Sequence, residues 1–256
     1  MWTETFREVS NSTETMSISL HSQEKDDIFH ETGYNLRELG FDISHNGRKT
    51  IEWNSDVWKI SIIKQIHNDF TDPDKIREEE PFRYLSLIRY QENIYRELEN
   101  QNATDIFIEG IREVQYLRWD WDMMKKTLIV NLSDPSFRKQ AFADYGGAII
   151  YLVEHPDAHP HFTESDDIWM EMAWYTGEEL PSVLVEKREN FVIEQARDFL
   201  DKNPGKHIHI VFGALHNFED NIESHFPKHP PQIEVISFPE IAKEYIERSW
   251  LPRENE

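Results

Sequence analysis

Three apolar, strand-like runs of this chain each end next to a side chain that could do chemistry. The runs are followed by His67, Glu109 and His216 in that order. Two imidazoles and a carboxylate can hold a divalent metal ion, or they can act as base, acid and orienting group in metal-free cleavage of an ester or amide. We therefore take His67, Glu109 and His216 as candidate catalytic residues and as candidate metal ligands.

The three runs are rich in β-branched and aromatic residues, which is typical of strands. They occupy residues 57–63, 105–108 and 207–212, and the apolar residues between Phe82 and Leu98 recur at helical steps of three and four. A strand–helix–strand order predicts a right-handed crossover and parallel pairing. Because ligands bind at the carboxyl ends of parallel strands, we expect the three candidate side chains at one edge of the sheet.

Other segments complete an α/β pattern. Residues 127–130 are interpreted as a strand, 183–200 as a helix and 233–238 as a further strand, whereas 147–153 fits either a strand or a buried helix. The alternation of helices and strands predicts an α/β fold in a single domain, with a mostly parallel central sheet flanked by helices.

Two segments are expected to be irregular. Residues 1–50 are polar and mixed, which indicates a loosely packed N-terminal segment before an α/β domain at residues 51–256. Residues 155–181 are rich in His, Asp, Glu and Trp, with only partial helical spacing. A loop of this length in a compact domain usually covers a site, so this segment is interpreted as a lid-like insertion.

The composition excludes several classes of protein. The 256 residues carry 49 acidic and 27 basic side chains, and a net charge of -22 repels phosphate backbones and anionic membrane surfaces. The chain has no cysteine, which removes disulfides, thiolate zinc sites and cysteine nucleophiles, so any metal must use His, Asp or Glu. There is no leader-like N-terminus and no run of about 18 apolar residues, so we expect a cytoplasmic protein without nucleic-acid or membrane partners.

The chain contains Gly-Ala-Leu-His at residues 213–216, a strand that ends in front of Glu109, and Arg188 in a charged stretch at 186–190. These ordered motifs resemble those of the TraB/TIKI, ChaN-like and erythromycin esterase-like superfamily. Residues 213–216, Gly-Ala-Leu-His, are similar to its second histidine motif, Gly-x-x-His, and the strand that ends at Glu109 is similar to its acidic strand end. Arg188, in the stretch Glu-Lys-Arg-Glu-Asn at 186–190, resembles the Arg-Asp or Arg-Asn element that precedes the second histidine. The order of the motifs agrees over residues 57–238, and the resemblance implies a shared fold more firmly than a shared activity.

The first histidine motif departs from the family pattern. Where the family commonly has Gly-x-x-His or Gly-Glu-x-His, this chain has Lys64 and Gln65 before Ile66 and His67. If esterase-type members use that Glu as a base, Gln65 does not replace it, because an amide is not a useful proton acceptor. The departure affects the metal-protease-like members less, since those resemble this chain in needing only Gly-x-x-His.

The resemblance implies a hydrolase-like enzyme that cleaves an amide or ester bond of a small-molecule or peptide substrate. In this hypothesis His67 and His216 ligate a divalent metal ion or polarise water, and Glu109 is a metal ligand or the general base. Arg188 holds an anionic substrate group or the oxyanion. The alternative is a non-catalytic protein that binds haem or another small ligand, with a histidine as iron ligand, and it stays open.

The remaining histidines are interpreted as structural or incidental. His155, His159 and His161 lie in a proline-containing segment that cannot align them along one helix face, so a native metal site is not expected there. His207 and His209 alternate with isoleucines and are expected to pack on one face of a strand.

Overall fold

The structure is a computed structural model and describes residues 47–51, 58–66, 77–109, 117–175, 180–227 and 230–248. His67 lies outside these ranges, as do residues 1–46 of the predicted N-terminal segment.

The described residues form one sheet of six strands in the order β1-β6-β2-β5-β3-β4. The strands are β1 Arg48–Ile51, β2 Lys59–Gln65, β3 Asp105–Ile108, β4 His159–His161, β5 His207–Gly213 and β6 Gln232–Ile236. Strands β2 to β6 pair in parallel, and β1 pairs antiparallel with β6 at one edge. This sheet confirms the predicted α/β fold with a mostly parallel central sheet.

Helices connect the strands and cover both faces of the sheet. They are α1 Pro81–Asn100, α2 Leu117–Asn131, α3 Pro135–Tyr145, α4 Gly147–Glu154, α5 Asp166–Met172, α6 Ser182–Lys202, α7 Glu219–His225 and α8 Pro239–Arg248. One core contains Ile63, Ile106 and Val211 beneath residues of α1, α4 and α8, and we call this side the first face. The second core contains Ile62 and Phe212 beneath residues of α6 and α7, and this side is the second face.

The prediction of a strand at residues 127–130 is wrong, because these residues belong to α2. Leu128 is buried, whereas Ile129 and Val130 are 52% and 73% exposed. The strand prediction rested on a short run of β-branched and apolar residues, a pattern that also occurs in helices. In α2 only Leu128 of this run faces the core. Residues 147–153, which fitted either structure, form the buried helix α4, and a Cβ atom on Gly147 would stand 2.0 Å from the main-chain oxygen of Gln91.

The described part of the segment 155–181, which the sequence predicts as a lid-like insertion, contains regular elements. It contributes the edge strand β4, which pairs with β3, and then α5 and a short 3-10 helix at Ala173–Tyr175. The sequence of β4 is His-Pro-His, which is too short to show alternation, and a sheet edge tolerates its proline. Residues 48–50 likewise differ from the predicted loose segment, because they are part of β1.

The buried His209 and the half-buried His207 lie near the start of β5 and share one face of the strand, as the alternation predicted. Nε2 of His209 is 2.9 Å from Oε1 of Gln101, and Nε2 of His207 is 2.9 Å from Oγ of Ser61. Burial, with a smaller effect from nearby positive charge, lowers the pKa of His207 to about 4 and that of His209 to about 3. Both rings are therefore neutral in the folded protein at physiological pH.

These histidines should make the fold sensitive to acid. We expect the free energy of unfolding to fall as the pH decreases from 6.5 to about 4. In this range the two histidines are protonated in the unfolded chain but remain neutral in the folded protein, so acid favours the unfolded state. Chemical denaturation at a series of pH values measures the slope. The double variant His207→Gln/His209→Gln should show a shallower slope, whereas the variant His159→Gln, at an exposed position, should keep it. An unchanged slope in the double variant would show that other groups cause the acid sensitivity.

Candidate functional site

The candidate site lies on the second face, at the carboxyl ends of β3 and β5. The helix α6 brings two consecutive charged residues, Arg188 and Glu189, to this edge. Arg188 stands four residues from both Leu184 and Val192, which are buried, so it belongs to the stripe of α6 that faces the sheet. The position of Arg188 and Glu189 on the buried side of α6 therefore places both charged side chains in the interior.

Arg188 is held between two carboxylates. Its Nη2 atom donates to Oε1 of Glu109 at 2.7 Å and to Oε1 of Glu164 at 2.5 Å. The side chains of Arg188 and Glu164 are 7% and 2% exposed, so water screens these charges little. Burial alone lowers the pKa of Arg188, but the charges of Glu109 and Glu164 outweigh it and raise the pKa further above neutrality. The guanidinium stays charged.

Glu109 follows β3 directly and is fixed by main-chain contacts. Its backbone N–H donates to the oxygen of Val211 at 3.0 Å, which continues the pairing of β3 with β5. Its carboxylate Oε2 accepts from the N–H of Gly213 at 2.7 Å, while Oε1 accepts from Arg188. Both oxygens of Glu109 thus have defined partners, and the carboxylate is oriented by the sheet itself.

His216 lies in the turn after β5 and contacts charged groups through both ring nitrogens. Its Nδ1 is 2.9 Å from Oε1 of Glu189, which also accepts from the N–H of Asn217 at 3.0 Å. Its Nε2 is 3.4 Å from Nη1 of Arg188 and 3.6 Å from Oε1 of Glu109. A guanidinium only donates and a carboxylate only accepts, so the neutral ring carries its proton on Nδ1 and presents a lone pair at Nε2.

The surroundings favour the protonated form of His216. Burial lowers its pKa, but hydrogen bonds to Glu109 and Glu189 and the charge of Glu109 outweigh burial and the nearby Arg188. The net result is a pKa raised above the usual value for histidine. A ring with these partners can take a proton at Nε2 while Glu189 stabilises the imidazolium, which is the property required of a general base.

The structure brings together three of the four residues that the sequence indicated, namely Glu109, Arg188 and His216, and the fourth, His67, lies outside the described residues. Sequence reasoning did not place Glu164 and Glu189 in the site. The four-residue spacing within the buried stripe of α6 could have indicated Glu189, since Val185 precedes it and Ile193 follows it at that spacing. No sequence signal indicated Glu164, which follows a strand that the sequence did not reveal.

The described residues do not fit a metal ion or a haem iron well. Glu109 and His216 supply two ligand types, but Arg188 stands beside both and would oppose a cation at the same atoms. The described part of the chain contains no group of three or more His, Asp or Glu side chains that could hold a metal. For haem, Nδ1 of His216 is engaged with Glu189, and an iron ion at Nε2 would stand beside the positive charge of Arg188, whose Nη1 is 3.4 Å from that nitrogen.

The histidines of the 155–161 segment have separate partners. Nδ1 of His155 is 2.9 Å from the main-chain oxygen of Tyr151, and Nε2 of His161 is 3.1 Å from Oδ1 of Asp105. His159 is exposed. His155 and His161 therefore contact different elements, α4 and β3.

In the described ranges no helix is long and apolar enough to span a membrane. Comparison of the chain with protein-family models, with curated proteins and with solved structures finds no match.

Proposed function

We propose that this protein is a hydrolase that cleaves an ester or amide bond of a small-molecule or peptide substrate, with His216 as general base and no metal ion in the chemical step. The observation that carries the proposal is the buried ring of His216. Its Nδ1 is oriented by Glu189, and its Nε2 faces Arg188 and Glu109. A carboxylate on one ring nitrogen and a reactive lone pair on the other form a general-base pair.

The proposed reaction uses this geometry. Nε2 of His216 takes a proton from a water molecule as the water oxygen forms a bond to the substrate carbonyl carbon. Glu189 stabilises the resulting imidazolium, and the adjacent guanidinium of Arg188 stabilises the negative charge that develops on the carbonyl oxygen. The imidazolium then returns the proton to the leaving alcohol or amine as the ester or amide bond breaks. The products are a carboxylic acid and an alcohol or amine.

Arg188 has a different role here from the anchor for an anionic substrate group that the family resemblance implied. Two carboxylates already accept from its Nη2, so a substrate anion would have to displace Glu109 or Glu164. Its Nη1 lies beside Nε2 of His216, so in the proposed reaction it is close to the carbonyl oxygen on which negative charge develops. We therefore assign Arg188 to the stabilisation of the oxyanion and to the orientation of Glu109.

The test uses a panel of nitrophenyl esters and anilides, assayed with and without a metal chelator. We expect turnover by the wild-type protein that the chelator leaves unchanged. A Glu109→Gln variant should lose about 10²-fold in kcat/KM, because the amide keeps an acceptor for Gly213 but removes the negative charge beside Nε2 of His216. Circular dichroism of the variant checks that the fold is retained.

The matched control is Glu194→Gln, which removes one exposed carboxylate from the same helix, α6, and should keep wild-type turnover. Three results would contradict the proposal. They are no turnover across the panel, turnover that the chelator abolishes and added zinc restores, and a folded Glu109→Gln variant with wild-type kcat/KM.

A further inference from the structure

A buried lysine lies behind the turn that carries His216. Lys64 is the second-last residue of β2, and it shares the second face with Ile62 because successive strand residues point to opposite faces. The neighbours of β2 in the sheet are β5 and β6. Lys64 is only 8% exposed, although lysine is rarely buried without partners.

The ammonium of Lys64 binds the main chain of this turn. Its Nζ atom donates to the carbonyl oxygen of Ala214 at 3.1 Å and also to the carbonyl oxygen of His216. Two main-chain hydrogen bonds also join this turn to the strands. The N–H of Ala214 donates to the oxygen of Gln65, and the N–H of His216 donates to the oxygen of Gly213. Lys64 thus joins both ends of the segment 214–216 to β2.

The position of Lys64 is itself fixed from the first face. The hydroxyl of Tyr90 on α1 donates to the main-chain oxygen of Lys64 at 2.8 Å, and Tyr90 is fully buried. The hydrogen bond from Tyr90 therefore fixes the main chain of Lys64. Because the main chain is fixed, the contact between Nζ and the turn helps to fix the position of His216.

Two carboxylates keep the ammonium charged near neutral pH. Burial lowers the pKa of Lys64 to about 8, and the charges of Glu189 on α6 and Glu219 on α7 limit this decrease. Glu189 is also the carboxylate that orients Nδ1 of His216. The charge of Glu189 therefore acts on both the ammonium of Lys64 and the ring of His216.

We infer that Lys64 is a positioning residue, whose ammonium holds the turn 214–216 so that the imidazole of His216 stays between Glu189 and Glu109. This role rests on the proposed function insofar as it concerns catalysis. An apolar side chain at this position would leave two carbonyl oxygens without their donor and would let the turn move. Misplacement of a catalytic group by about 1 Å can cost roughly 10²-fold in rate.

The activity should depend on pH through both His216 and Lys64. His216 must be neutral to act as a base, so activity should rise as the pH increases through its raised pKa. Above about 8 Lys64 loses its charge, its hold on the two carbonyl oxygens weakens, and activity should fall. The expected pH profile of kcat/KM is bell-shaped, with the alkaline limb set by Lys64.

The kinetic test compares Lys64→Arg with Lys64→Met. Arginine stays charged over the whole accessible range, so Lys64→Arg should keep turnover at pH 7 but shift the alkaline limb above a pH of about 10. Lys64→Met should lose about 10²-fold, mainly in kcat, and should show no alkaline limb near pH 8. The matched control is Lys59→Met, on the same strand at its other end, which should retain the wild-type profile.

A second measurement needs no substrate. The N–H groups of His216 and Asn217 donate to Gly213 and Glu189, respectively, so their hydrogen exchange reports the order of the turn. In Lys64→Met both groups should exchange at least about tenfold faster, while exchange in the core strands stays the same. The Nδ1 signal of His216 in imidazole nitrogen NMR should also lose the shift that the bond to Glu189 produces.

The two proposals fail separately. If the protein hydrolyses no ester or amide, the hydrolase is wrong, but faster exchange in Lys64→Met would still show that Lys64 holds the turn. If Lys64→Arg keeps the wild-type alkaline limb, or if Lys64→Met keeps the protection of both N–H groups, the positioning role is overturned. Should Lys64→Met fail to fold, the pH profile of Lys64→Arg decides the question.

Discussion

A His216→Gln variant is expected to lose up to about 10⁴-fold in kcat for ester or amide hydrolysis, the upper end of the effect of a general base. Glutamine approximates the volume of the ring and can still donate to Glu189, so the turn should keep its conformation. It has no group that accepts a proton near neutral pH, and the proton of the attacking water would have to go to bulk solvent. Steady-state kinetics near pH 7.5, with circular dichroism as a check of folding, measure the effect.

The control for this substitution is His225→Gln. His225 lies on α7, with its Nε2 atom 3.1 Å from Oδ1 of Asn190, and it has no part in the proposed chemistry. Its replacement should leave kcat within about twofold, as expected for a substitution that costs little stability. If a folded His216→Gln variant retains wild-type kcat, then His216 is not the general base and the proposed mechanism is wrong.

The second large effect concerns stability. An Arg188→Met variant should unfold with a free energy lower by about 3–5 kcal/mol, because it leaves the buried carboxylates of Glu109 and Glu164 without their cation. The penalty reflects uncompensated charge more than lost packing, since methionine occupies part of the same volume. Urea denaturation with a linear extrapolation gives the change in unfolding free energy directly.

Two further variants separate charge from shape. Arg188→Lys keeps the charge but has one nitrogen in place of Nη2, which contacts both carboxylates, and Nη1, which contacts His216, so it should recover only part of the lost stability. Arg197→Met removes an arginine from the same helix whose side chain is 42% exposed and lies 3.7 Å from Asp201, so it should cost at most about 1 kcal/mol. A folded Arg188→Met protein with wild-type stability would show that the ion cluster contributes nothing to the fold.

The regular elements near the site were predictable from local patterns. The runs at 105–108 and 207–212 match β3 and β5 closely, and the predicted helix at 183–200 matches α6 within two residues at each end. These patterns are reliable because burial on a strand or helix repeats every two or about 3.6 residues. The same reasoning failed at 127–130, where a helix contains adjacent β-branched residues on its exposed side.

Gln65 and Lys64 differ in importance between the sequence and the structure. Gln65 is the notable residue in the sequence, because it stands where the superfamily that the chain resembles has Glu. In the strand, however, Gln65 shares the first face with Ile63, opposite to the second face on which His216 contacts α6. Lys64, which the sequence showed only as a departure from glycine, reaches the turn of His216.

The sequence by itself determined the α/β class, the two strands that Glu109 and His216 follow, and the acidic, cysteine-free composition. These properties depend on residues close to one another in the chain. Only the tertiary structure decided that Arg188 contacts Glu109, 79 positions away in the chain, and that Lys64 contacts the turn of His216, 150 positions away at Ala214. Such contacts depend on the placement of β5 between β2 and β3, and no local pattern encodes the order of strands in a sheet.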